Sequence, residues 1–476
     1  MGGGTMHKTT NRSAAMAADK QMTTRAWPGY AAIWRWHFYA GLFCIPFVLW
    51  LSLTGSIYLF RPQIQAVIDR PYTHLPMTGA RASAAAQAGA AVRAVPGSVL
   101  HRYQLPDRPD DAVQVIVGAG TTETRVYVHP QTLAVLKTVN EDSRLMSIIS
   151  RLHGELLIGT LGSYLVELAA SWAIVMIVSG LFLWWPRGRG PGGVLYPRLR
   201  SGGRRFWRDL HGVTGFWVSF LALFLLFSGL PWAKSWGSYL KAVRTVAEGQ
   251  VVKQDWATGQ ADTVRARAAA DAGTRAMADD HAEHGGMVMA HPAVSYVPLD
   301  RLIATVRPLD LAGPVLIAPP AGQGQPWTAK SDAANRPLRT DLTLDGSTGA
   351  LLTRKDFAQR ALIDRIVGYG VAAHEGQLFG WANQLLGLLT AIGLTLLSLS
   401  SAVLWWRRRP DGTLGAPPAR IRPAVSFAFI GLLVAFGILL PLLGLSMLAV
   451  WLVERLFLRD RTAARRWLGL KPARLA

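Results

Sequence analysis

The chain has 476 residues, half of them hydrophobic, with 50 Lys and Arg against 29 Asp and Glu for a formal charge of +21. A mean hydropathy of +0.22 with only 17% charged residues excludes an ordinary soluble protein. The single cysteine, Cys44, excludes an intramolecular disulfide, and inside an apolar run it reads as a small core side chain.

Uncharged apolar runs lie near 37–60, 168–185, 212–233, 381–406 and 424–453. Most reach the ~18 to 20 residues needed to cross a ~30 Å hydrocarbon core. The first has no small-residue cleavage site after it and reads as an uncleaved signal anchor. The basic residues stand beside these runs: Lys8, Arg12, Lys20, Arg25 and Arg35 before the first, Arg187 to Arg208 between the second and third, and Arg407, Arg408 and Arg409 after the fourth. This positive-inside pattern predicts a cytoplasmic N-terminus and short cytoplasmic loops, and leaves no basic stripe to read as a nucleic-acid site.

The predicted elements are a cytoplasmic tail over 1–35, a first span over 36–60, an external module over 61–145 and an interfacial segment with the second span over 146–185. A basic loop over 186–209, a third span over 210–233 and a second, longer external module with an insertion over 234–362 follow. The order closes with an interfacial segment and fourth span over 363–406, a loop over 407–423, an apolar segment over 424–455 and a basic tail over 456–476. Pro441 and Gly444 interrupt the last segment. A single crossing would put the basic tail outside and a tight hairpin would keep it inside; a single crossing is the expectation. No Asp, Glu, Lys or Arg is expected inside the spans, which argues against an ion-coupled transporter.

An internal repeat runs through this order. His37 is followed by Gly41 and Gly55 at the spacings by which His211 is followed by Gly215 and Gly229. His153 precedes Gly159 and the Trp184-Trp185 pair as His374 precedes Gly380 and Trp405-Trp406, and Arg144 and Arg365 stand nine residues ahead of these two histidines. Thirty-one residues separate each of these histidines from the first tryptophan of its pair, ~46 Å if helical, so the chain must bend near Gly159 and Gly380. The modules repeat more loosely, as an alanine-rich helix from Arg81 to Val95 and then strands. Val126 to Val135 parallels Leu342 to Leu351 as strand, turn, strand, with Pro130 or Gly346 and Gly349 supplying the turn.

The histidine-led spans, the helix-plus-strands modules and the Asp-x-x-Thr-Gly turn resemble the PepSY-associated transmembrane helix family, over about residues 30–455. His129 and Leu133 depart from the pattern, where the first module lacks the usual Asp and Gly. The resemblance implies a membrane all-α bundle of about five transmembrane helices, internally duplicated, with two small α+β PepSY-like extracytoplasmic modules. It also implies a bacterial inner-membrane location and an iron-regulated or ferric-siderophore reductase activity.

Matched histidine pairs give that resemblance a chemical content. A twofold relation between halves would bring His37 to His211 and His153 to His374, and two facing imidazoles are axial ligands for the iron of a b-type haem. For one histidine alone, capping or snorkelling at the interface is the plainer reading; recurrence at matched spacing favours ligation. Glycines beside them admit either a macrocycle or ordinary close helix packing, and the Trp pairs read as an interfacial belt. Arg144 and Arg365 are candidate contacts for propionates or an anionic chelate.

Within the insertion, His281, His284, Met287, Met289 and His291 suit a soft metal such as copper, with a disordered segment as the plainer reading. No dinucleotide or Walker motif is present, and the cytoplasmic loops are too short for a flavin domain, so electrons would come from a membrane quinol or a separate reductase. The expected partners are therefore lipid, that donor and a ferric siderophore. The alternative is a haem-free membrane protein whose modules bind or restrain partner proteins.

Overall fold

The computed structural model describes residues 29–186, 191–249, 296–320, 325–417, 427–458 and 460–470. It divides into two compact units, one of residues 1–53, 154–240 and 389–476, the other of 54–153 and 241–388.

The first unit is helical. Five stretches are long and apolar enough to cross a membrane: Tyr30–Leu59, Gly159–Trp184, Gly203–Trp232, Trp381–Arg408 and Pro441–Leu458. The helices themselves are α1 (Tyr30–Leu59), α5 (Gly159–Trp184), α6 (Gly203–Gly229), α10 (Trp381–Arg408) and α12 (Pro441–Val453). Most of their large apolar side chains remain exposed, as lipid contact requires and water would not tolerate.

The last apolar segment, expected as one crossing, is two helices. Helix α11 (Phe427–Leu439) ends at Leu440, and Pro441, which cannot donate to the preceding turn, starts α12. The two pack together where Gly437 meets Gly444, since a Cβ on Gly444 would come 2.9 Å from the Gly437 Cα. The Leu414 N–H donates to the Trp467 carbonyl at 2.9 Å, and Arg35 donates to the carbonyls of both Pro417 and Gly469. The chain before and after the hairpin therefore returns to the same end of the unit.

A second difference concerns charge inside the spans. Glu167, on α5 and 2% exposed, accepts the backbone N–H of Ser235 at 2.9 Å, and so caps α7 (Lys234–Glu248) with a negative charge at its N-terminus. Asp209 on α6 is 1% exposed and holds Arg198 and Arg208 at 2.6 and 2.9 Å. The spans do contain buried acids, each accounted for by local partners.

The second unit carries the sheet. Strands β1 (Val99–Leu105), β2 (Val113–Ala119), β3 (Thr122–Val128) and β4 (Val135–Asn140) form one antiparallel meander, and β5 (Val315–Ala318), β6 (Trp327–Ser331), β7 (Thr340–Leu344) and β8 (Leu351–Asp356) form another. The two α+β modules expected as separate bodies share one eight-stranded sheet, ordered β4-β3-β2-β1-β5-β6-β7-β8. The joint is the antiparallel β1–β5 pair, with Tyr103 opposite Ile317. Helices α3 (Ala84–Ala94) and α8 (Pro298–Val306) cover one face, where Val113, Val115, Val117, Val126, Ile317 and Leu342 alternate inward. Asp300 of α8 accepts the Ala84 and Ala85 N–H groups, tying the two helices at the α3 N-terminus.

The two strand–turn–strand segments close alike with different residues. In the second, Asp345 Oδ1 accepts the Ser347 and Thr348 N–H groups at 2.7 and 2.8 Å, and Gly349 adopts a φ of 77°. In the first, His129 Nδ1 accepts from Gln131 and Thr132 at 3.2 Å, and Leu133 takes a φ of 62°. The departures noted in the sequence thus leave the turn intact, at the cost of a left-handed leucine.

Candidate functional site

His37 sits on α1 and His211 on α6, and their ring centres lie 6.4 Å apart with planes at 75°. Each ring is held from behind by a neighbouring helix. His37 Nδ1 lies 3.0 Å from the Met176 carbonyl and 3.1 Å from Ser179 Oγ on α5; His211 Nδ1 lies 3.2 Å from the Leu397 carbonyl and 3.3 Å from Ser400 Oγ on α10. A carbonyl oxygen only accepts, so Nδ1 carries the proton in both rings and Nε2 keeps its lone pair, the tautomer a metal-ligating imidazole needs. The serines donate in turn to the same carbonyls. Sequence reading missed Ser179 and Ser400, although each stands five residues before its tryptophan pair.

His153 and His374 form the second pair, in the other unit. Helix α4 (Leu145–Glu155) carries His153 and α9 (Leu362–His374) ends on His374; the ring centres are again 6.4 Å apart, with planes at 83°. Thr54 Oγ1 lies 3.0 Å from His153 Nδ1. Each histidine helix is broken from the span after it, as the length argument requires: Leu156, Leu157 and Gly159 take positive φ before α5, and Gly376 and Gly380 do so before α10.

An imidazole nitrogen sits ~2 Å from a bound metal, so two rings gripping one ion from opposite sides have centres about 6 Å apart. Both pairs meet that requirement. Glycines let the rings seat: a Cβ on Gly180 would approach His37 Cε1 to 3.0 Å, and one on Gly55 would approach His153 Cε1 to 3.2 Å. Gly41 and Gly215 face Met176 and Leu397 instead, which is ordinary helix packing. Among the described residues, no group of three or more His, Cys, Asp or Glu is gathered to hold a metal ion. The insertion residues His281, His284, Met287, Met289 and His291 lie outside the described residues.

The arginines behave differently. Arg144 pairs with Glu141 at 3.3 Å, and Glu141 is also held by Arg125 at 2.5 Å, so its carboxyl is kept below the usual range. Arg365 has no ion pair among the described residues, and its Nε is buried without a hydrogen bond. Beside His374 in the chain, Glu375 is buried, and burial pushes its carboxyl up against the pull of Arg336, Arg61 and Arg339. Burial and the neighbouring Arg339 push Arg336 down to about 10. A cleft of about 10 Å³, room for about one water, lies between Arg61, Tyr58, Glu375 and Gln377, far below the size of a ligand pocket.

The long apolar helices, two of which bear the His37–His211 pair, define a multi-pass membrane protein. The family model of the PepSY-associated TM region matches residues 34–408, and the chain belongs to that family. No curated protein matches the sequence.

Proposed function

We propose that this chain is an electron-transfer protein of the bacterial inner membrane that binds haem b through His37 with His211 and through His153 with His374. Its activity would be reduction of an extracytoplasmic acceptor, with ferric siderophore iron as the acceptor class the family resemblance suggests. The observation that carries the reading is the twice-repeated 6.4 Å separation of paired imidazoles. Bound haem supplies reversible one-electron uptake and release.

The chain's own part is to hold and orient. The Met176 and Leu397 carbonyls fix the Nδ1–H tautomer of His37 and His211, and Thr54 orients His153. Gly180 and Gly55 admit the rings between helices. The lipid-facing helices keep water from the inner pair, and the Arg365 guanidinium, without an ion pair among the described residues, is a candidate anion-binding group of the sheet-bearing unit. Electrons would arrive from a membrane quinol or a separate reductase, and reduction would loosen iron because hard oxygen chelators hold the ferrous ion less tightly.

The test is an absorption spectrum of the full chain purified after expression with ample haem. Sharp reduced b-type bands that fall on His211→Ala and again on His374→Ala are expected. A colourless protein would overturn the reading and favour a haem-free module that binds partner proteins.

A further inference from the structure

At one end of the helical unit, cations gather, with Glu454 within electrostatic reach of the Arg35–Tyr39 contact and no acid in an ion pair with them among the described residues. Arg408, the last residue of α10, is half-buried, its guanidinium carbon 5.2 Å from the Trp34 ring centre and 5.0 Å from that of Phe38. Its Nη2 donates to the Gly415 carbonyl at 2.7 Å, so aromatic faces and one backbone oxygen hold it in place. The charged neighbour that bears on it is Arg204, another cation. Arg35, beside Trp34, likewise points to carbonyls, of Pro417 and Gly469. None of Arg35, Arg204 and Arg408 has an ion pair among the described residues, whereas nearby in sequence Arg198 and Arg208 are both taken by Asp209. Like charges held together with no acid between them are costly, and an anion relieves the cost.

Position says which anion. Phe38 follows His37 directly and Trp34 precedes it by about one helical turn, so the Arg408 guanidinium stands over the part of α1 that carries His37. On α6, Arg204 is seven residues ahead of His211, two turns and ~10 Å along the axis on nearly the same face. The two propionates of a porphyrin hang from one edge of the macrocycle and carry their carboxylates away from the iron and its axial ligands. Two guanidiniums at that place match two carboxylates in number and charge.

We infer that Arg204 and Arg408 receive the two propionate carboxylates of a haem held between His37 and His211. This rests on the reading of that pair given above. It moves the propionate contacts of this pair away from Arg144 and Arg365, which belong to the other unit.

The test uses the full-length protein with His153→Ala and His374→Ala, so that one histidine pair remains, titrated with haem b and with its dimethyl ester, whose carboxylates are blocked. The original arginines are expected to favour the free acid at least tenfold. Arg204→Gln with Arg408→Gln should abolish that preference and lower the haem midpoint potential, because uncompensated propionates stabilise the ferric state. Arg204→Lys with Arg408→Lys, which keeps the charges, should retain most of the preference and serves if the glutamine variant does not fold. Equal binding of acid and ester to the parent chain would overturn the inference while leaving haem binding intact. So would a glutamine variant that loses only a preference for vesicles rich in phosphatidylglycerol, since the site would then hold a lipid phosphate. No haem uptake at all would sink both this inference and the reading of the histidines.

Discussion

The two histidine pairs share a separation and belong to different units of the chain. On the helical unit, a backbone carbonyl and a serine back each of His37 and His211, so the tautomer is dictated by an atom that can only accept. On the sheet-bearing unit, His153 leans on Thr54, whose hydroxyl can donate or accept. A carbonyl behind a ring stays when a side chain is replaced, whereas the hydroxyls of Ser179, Ser400 and Thr54 can each be removed. The useful comparison is therefore between removing a ring and removing the hydroxyl behind it.

The sharpest way to break the comparison is to remove a ligand outright. His211→Ala should reduce haem affinity at its pair by more than ~100-fold while leaving the His153–His374 pair loaded; loss of all haem from this one change would mean the pairs are not separate sites. Thr54→Val comes next, with an expected loss of about 10- to 100-fold at His153, the range typical for removing a group that orients a ligand. Ser179→Ala should cost only several-fold, because the Met176 carbonyl still accepts from His37. Haem dissociation rates read both changes, and a loss from Ser179→Ala as large as that from His211→Ala would show that the Met176 carbonyl alone does not hold the His37 ring.

The two turns of the sheet offer the same contrast on a smaller scale. Gly349→Ala forces a side chain into left-handed backbone already crowded by Arg301, and should lower stability by ~1 to 2 kcal/mol. Leu133→Gly, in the matching turn, should change it less, since relief of backbone strain offsets lost packing on the core. The smallest effect is with pH. The hydrogen bonds from Ser347 and Thr348 depress the Asp345 carboxyl to about 2 from an ordinary value near ~3.9. Its contribution is therefore complete above the ordinary value and is lost as pH falls through about 2. Thermal unfolding followed from pH 5 downward should show an acid-dependent component that Asp345→Asn removes; an unchanged slope would assign that component to other carboxylates.

Much of this was legible in the sequence because repeated spacing survives folding. The identical offsets behind His37 and His211 place residues that the structure brings 6.4 Å apart, and the excess length between His153 and Trp184 required the break found at Leu156 to Gly159. Ser179 and Ser400 escaped notice because serine is common in spans and its partner lies on another helix, far away in sequence. Glu167 was missed because the apolar run begins one residue later, although the helix containing it starts at Gly159. The joining of the two meanders was not legible at all: β1 and β5 are more than two hundred residues apart, and strand patterning specifies which face is buried without naming the neighbour.

The fold-back at Leu440 and Pro441 has a consequence for anyone labelling this protein. Because Arg35 reaches the chain on both sides of that hairpin, the stretches around Tyr30 and around Trp467 share a compartment. A reporter fused beyond either of them would sense the same surroundings.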